Sequence, residues 1–206
     1  MSPDPSRLLS QPSPDAMIRL LVEGLVSLAV RSPMSRQAAV SLAEHFRGPL
    51  PSRERNTLIG LNLRANQRMV ADSIGTRGKY AVIYSPDREF IFGDGFFHNI
   101  TSPNHPPHNP TILVPLTPRI SVLLVCPLQY TVEPRLVTLV ISAEEADAFN
   151  RVVQVYAKEM LFFRSESPSL TDDYRQGKHL EFSEPGHIVD DLIESLPGVP
   201  PRNRIF

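Results

Sequence analysis

The stretch from Gly93 to Pro110 gathers the side chains best suited to chemistry: Asp94, His98, His105 and His108. Imidazole and carboxylate groups are natural ligands for Zn²⁺ or another divalent transition metal, and His105-Pro-Pro-His108 has a His-x-x-His spacing. Against this, the two prolines keep those rings off a common helix face, and the stretch is rich in Asn and Pro, as solvated loops are. A divalent metal held by His98, His105 and His108 and a plain surface loop are both open readings. Asp94 follows an apolar run and stands between Gly93 and Gly95. A carboxylate there either accepts backbone N–H groups in a tight turn or serves as a catalytic general base or metal ligand at a strand end.

Arg31 and Arg36 bracket Pro33 where a helix must break. Guanidinium groups bind phosphate or carboxylate through paired hydrogen bonds, which makes both substrate-contact candidates. The structural alternative is an ion pair at the helix junction, with Arg31 favoured by a helix C-terminal dipole. A third predicted helix carries Arg53, Arg55, Arg64 and Arg68, the last two on one face. The chain has a net charge of −1 and no Trp, so it lacks the clustered cations and interleaved aromatics of a nucleic-acid platform. Phosphate-loop, dinucleotide, nucleophile-elbow and zincin motifs are absent from the sequence.

The elements that would position these groups follow from periodicity. Residues 1–14 hold four prolines and read as a disordered arm. Helical spacing over Ala16–Val30, including Leu21 and Leu28, is ended by Ser32-Pro33. Further helices are predicted over Ser35–Phe46 and Ser52–Ile74, the last with Leu58, Leu61, Ala65, Met69 and Ile74 inward. The period then changes to two. Lys79–Tyr84 and Glu89–Phe92 read as a hairpin around Ser85–Arg88, and Thr111–Pro115, Arg119–Val125 and Leu136–Ile141 as three more strands. Ser142 and Glu145 form a capping box that opens a long helix from Ala143 to Phe163. Residues 166–206 read as a weakly ordered tail with one short helix near Ile188–Leu196. The expected class is α+β: N-terminal helices, a mostly antiparallel sheet of about five strands, and one long C-terminal helix, within a single domain over 15–165. Cys126, the only cysteine, lies in an apolar run and reads as a buried, inert thiol. No disulfide can form within the chain, and no stretch is long and apolar enough for a signal or a membrane span, which points to the cytoplasm.

Three segments together resemble a bacterial family known as domain of unknown function 4238. They are Arg31-Ser32-Pro33-Met34-Ser35-Arg36, then Phe90–Phe96 followed by Val114–Arg119, and the helix from Ala143, with Asn150 and Ala157 where the family tends to place Asn and Ala. The resemblance covers about residues 15–165 and adds Asn150 to the substrate-contact candidates. The family's histidine-proline motif ahead of these segments has no counterpart here, and Asp94 is followed by Gly95-Phe96 where the family has Asn-Pro. The resemblance thus implies a shortened member, a misassigned start or a C-terminal portion, and supplies no reaction. The leading expectation is a non-catalytic binding or interaction protein. The alternative is a metal-assisted hydrolase acting on a phosphate-containing substrate through Asp94 and the 98–108 histidine loop. Nucleic-acid processing through the third-helix arginines is a weaker third.

Overall fold

The structure, a computed structural model, describes residues 8–11, 15–75, 77–100, 109–175 and 186–201. In chain order they form β1 (Leu8–Gln11), α1 (Asp15–Val30), α2 (Pro33–Arg47), α3 (Ser52–Ile74), β2 (Lys79–Tyr84), β3 (Phe92–Gly93), β4 (Phe97–His98), β5 (Thr111–Thr117) and β6 (Ile120–Val125). β7 (Leu136–Val140), α4 (Ala143–Tyr156), β8 (Leu161–Phe162), α5 (Asp172–Arg175) and α6 (Gly186–Glu194) follow. The class is α+β. Six strands make one sheet in the order β1-β7-β2-β6-β5-β4, antiparallel except for the β2–β7 pair.

Helices cover both faces of this sheet, which is why β5 and β6 read as nearly continuous apolar runs. Alternate strand residues divide between two cores. Tyr80, Ile112, Val114, Val122 and Leu124 pack with Val22, Val26 and Ala29 of α1 and with Val70 and Ile74 of α3. Ala81, Ile83, Leu113, Leu123, Val137 and Leu139 face Phe149, Val152 and Val153 of α4 and Ile188, Val189 and Leu192 of α6. On α3 Ile74 is buried as expected, but Leu61 and Met69 are exposed and Val70 is buried instead. Leu28 of α1 is likewise exposed. Among the described residues no helix is long and apolar enough to cross a membrane.

Two further expectations are corrected. Residues 89–92 do not return along β2, because β6 and β7 already occupy both of its edges. Instead Phe90 and Ile91 are buried, and the Phe90 ring packs 4.5 Å from that of Phe149. The long helix expected to reach Phe163 ends at Tyr156, and the chain then turns into β8, which pairs with β3. Ordered elements also lie on either side of residues 15–165. β1 pairs with β7, and α6, near the short helix expected over Ile188–Leu196, buries Ile188, Val189, Leu192 and Ile193. Leu192 is 2% exposed, so Leu192→Ala should lower unfolding free energy by about 3 kcal/mol in urea denaturation. A loss within the scatter of surface substitutions would mean that α6 is peripheral.

Candidate functional site

The Gly93-Asp94-Gly95 turn is pressed against the end of α4. A Cβ on Gly95 would lie 2.1 Å from the Tyr156 carbonyl oxygen, and one on Gly93 would lie 2.7 Å from the Ala157 Cβ. Only glycine lets the backbone approach so closely. The approach delivers the Asp94 carboxylate to the orphan amides past the helix: Lys158 N–H donates to Oδ1 at 2.7 Å and Glu159 N–H to Oδ2 at 3.1 Å. The Asp94 N–H in turn donates to the Met160 carbonyl at 3.2 Å. Both carboxylate oxygens are thus engaged with backbone, in the arrangement of a turn that ends a helix and redirects the chain.

Two further α4 side chains act as substitutes for a neighbouring strand. Asn150 Oδ1 accepts from Ile91 N–H at 3.0 Å, and its Nδ2 donates to the Glu89 carbonyl at 2.9 Å. One turn on, Gln154 Oε1 accepts from Thr171 N–H at 2.7 Å, and Nε2 donates to the Ser169 carbonyl at 3.0 Å. Both are buried. An amide side chain offers an NH2 donor group and a carbonyl acceptor, so each can satisfy an extended segment that lacks a strand partner. Asn150, a substrate-contact candidate in the sequence, spends both groups on backbone.

His98 sits on the opposite side of the sheet, in the two-residue strand β4. Its Nε2 lies 2.7 Å from Ser32 Oγ. The same oxygen caps α2 by accepting from Ser35 N–H at 3.2 Å. His98 Nδ1 is buried without a hydrogen bond. Burial holds the ring neutral, its pKa pushed down to about 3. A serine–imidazole pair has the composition of a nucleophile and its base, but a base so weakened takes no proton near neutral pH. Its energetic consequence is testable. As pH falls, the unfolded chain, with an ordinary imidazole pKa of 6.5, takes up the proton first. Stability is therefore complete above that value and is lost as pH drops towards the folded pKa. Urea unfolding should show a loss of about 2 kcal/mol between pH 7 and pH 5, absent in His98→Asn. A flat profile in the wild-type protein would contradict a neutral buried ring.

Asp94 and His98 therefore serve different layers, Asp94 at the end of α4 and His98 at the start of α2. Arg31 and Arg36 are exposed, and among the described residues neither forms an ion pair; Arg36 N–H donates to the Ser32 carbonyl at 3.2 Å. His105 and His108 lie outside the described residues. Among the described residues no three or more His, Cys, Asp or Glu groups gather as a metal would require. Arg53 and Arg68 are exposed, and Arg55 pairs with Glu44. Cys126 is buried, and burial pushes its thiol up to about 11.

Sequence reasoning missed a cleft of about 470 Å³ beside α4, between residues 87–91 and the 163–171 segment. Two ion-pair ladders cross it. Arg88 reaches Asp147 at 3.0 Å and Glu166 at 2.5 Å. Glu89 pairs with Arg164 and lies 3.8 Å from Arg119. The hydrogen bond from Arg164 holds the Glu89 carboxyl below the usual range, with Arg119 adding to the effect. Arg151, Asp87 and the half-exposed Phe163 and Leu170 complete the walls. No signal in the sequence joins these residues, since Arg88 and Glu166 stand 78 positions apart. No protein-family model, curated protein or solved structure matches the chain.

Proposed function

We propose that this chain is a non-catalytic binding protein and that the cleft beside α4 takes a polypeptide segment bearing both charge signs. The observation that carries this reading is the pair of ladders, Asp147–Arg88–Glu166 and Arg164–Glu89–Arg119. Apart from the largely buried Glu89, the partners in these pairs are at least a third exposed, and exposed ion pairs are worth little to the fold, so a partner's carboxylates and ammonium groups can replace them at small cost. The half-exposed Phe163 and Leu170 supply apolar contact beside them. Acid–base catalysis is poorly served in the same place. Glu89 is held ionised, and the best general-acid or general-base pKa lies near the working pH.

Kinship with the domain of unknown function 4238 family is part of this reading. Its support is that the third segment touches the second and that the first bonds a residue just beyond the second. Ser32 bonds His98 just beyond the second segment, and Asn150 bonds the backbone at Glu89 and Ile91. We place the protein in the cytoplasm on the single buried cysteine.

The test is selection from a displayed library of extended peptides, followed by fluorescence polarisation on the purified protein. Selected peptides should carry both charges. Their affinity should fall about tenfold or more in Arg119→Ala/Arg164→Ala, the loss of one or two charge-assisted contacts, and should weaken with added salt. Peptides that bind the double variant as well as wild type, or turnover of any substrate that Asp94→Ala abolishes, would overturn the proposal.

A further inference from the structure

A second cavity lies on the other side of the sheet, where the start of α1 crosses the end of α3. It is a groove of about 1130 Å³, a little larger than most small-molecule sites. Arg19, Arg77 and Arg135 line it, against Glu23 and Asp72, so its lining carries one more cation than anion. Ala16, Leu20 and Ala71 give it an apolar wall. Arg19 is exposed and makes no ion pair among the described residues. Arg77 spends Nη2 on the Ser73 carbonyl at 2.8 Å and is otherwise exposed. On α1, Met17 and Leu20 are 62% and 71% exposed, so the apolar wall continues out of the groove along the helix.

A cationic rim joined to an apolar wall recognises a molecule with both characters. We propose that the groove binds a single-chain anionic amphiphile, its carboxylate or phosphate head on Arg19 and Arg77 and its hydrocarbon chain along Leu20 and Ala71. Arg donates paired hydrogen bonds to either head group, and the chain covers side chains that water otherwise meets. Arg135 extends the cationic side at the start of β7.

The experiment is calorimetric titration of the whole protein with laurate and with dodecyl phosphate below their micelle concentrations. Arms with inorganic phosphate and with dodecanol separate head from chain. Both amphiphiles should bind, each at least about tenfold more tightly than either half-ligand, and about tenfold less tightly to Arg19→Gln/Arg77→Gln. Both substituted residues are exposed, and the melting curve of the double variant checks that it folds. Leu20→Ser should weaken the amphiphiles without changing the response to phosphate. The proposal fails if neither amphiphile binds, if inorganic phosphate matches them, or if the double variant binds as wild type does. Co-sedimentation with phosphatidylglycerol vesicles without any response to laurate would also overturn it, in favour of a membrane surface.

Discussion

Lys79→Met will lower the stability of this protein by about 3–5 kcal/mol, the cost of losing a charged donor's hydrogen bonds to three backbone carbonyls. Lys79 opens β2 and is 1% exposed. Its ammonium has three protons, and three backbone carbonyls receive them: Thr131 at 2.8 Å, Val132 at 3.1 Å and Pro134 at 2.9 Å. Burial pulls its pKa below the ordinary lysine value, and the nearby Glu133 opposes that shift. The three carbonyls belong to the connection between β6 and β7, a stretch without regular structure in which the Glu133-Pro134 bond is cis. One side chain thereby replaces the backbone ladder that this loop lacks. Methionine keeps the stem and deletes the donors, which isolates the effect from packing. Thermal melting should fall by on the order of 10 °C, with amide exchange accelerated first at residues 131–135. A variant within one or two degrees of wild type would show that water satisfies these carbonyls equally well.

Asp94→Ala and Gly95→Ala should each cost about 3 kcal/mol, for different reasons. The first removes a carboxylate that two backbone amides use, at 2.7 and 3.1 Å, and hydrogen bonds to charged acceptors are worth about 1.5–3 kcal/mol each. The second places a methyl group 2.1 Å from the Tyr156 carbonyl, and backbone cannot give way as a flexible side chain would. Asp94→Asn retains one acceptor and should fall between alanine and wild type. Urea unfolding at constant pH checks all three. Equal stability of Asp94→Ala and wild type would remove the structural account of this residue and restore it as a candidate for chemistry.

The difference between what the residues announce and what they conceal follows distance along the chain. α3 runs from Ser52 to Ile74 where helical spacing places it, and the capping box at Ser142 and Glu145 is formed as the pair of residue types requires. The strands β2, β5, β6 and β7 show in their apolar patterns because helices bury both faces of the sheet. These are local signals. The end of α4 is not local: its terminating carboxylate comes from Asp94, 64 positions before Lys158. The missing hairpin is not local either, since nothing within 79–92 says that β7 will take the second edge of β2. β1 is four residues of modest β-propensity between prolines, and only its pairing with Leu136–Leu139 makes it a strand. The candidate site was legible as a set of residue types and illegible as a geometry. His98 and Asp94 are four positions apart in sequence, yet they attach to helices on opposite faces of the sheet. The cleft beside α4 depends on partners such as Glu89 and Arg164, 75 positions apart.

The measurement that bears most directly on the account is peptide affinity and unfolding free energy taken together on two variants, below both melting transitions. Asp94→Ala should lose stability and bind the selected peptide as wild type does. Arg164→Ala, which leaves Glu89 its pairing with Arg119, should melt closer to wild type than Asp94→Ala does and bind weakly. Asp94→Ala that keeps its stability but loses binding, or loses a turnover that wild type performs, would contradict a non-catalytic binding protein whose Asp94 serves the fold.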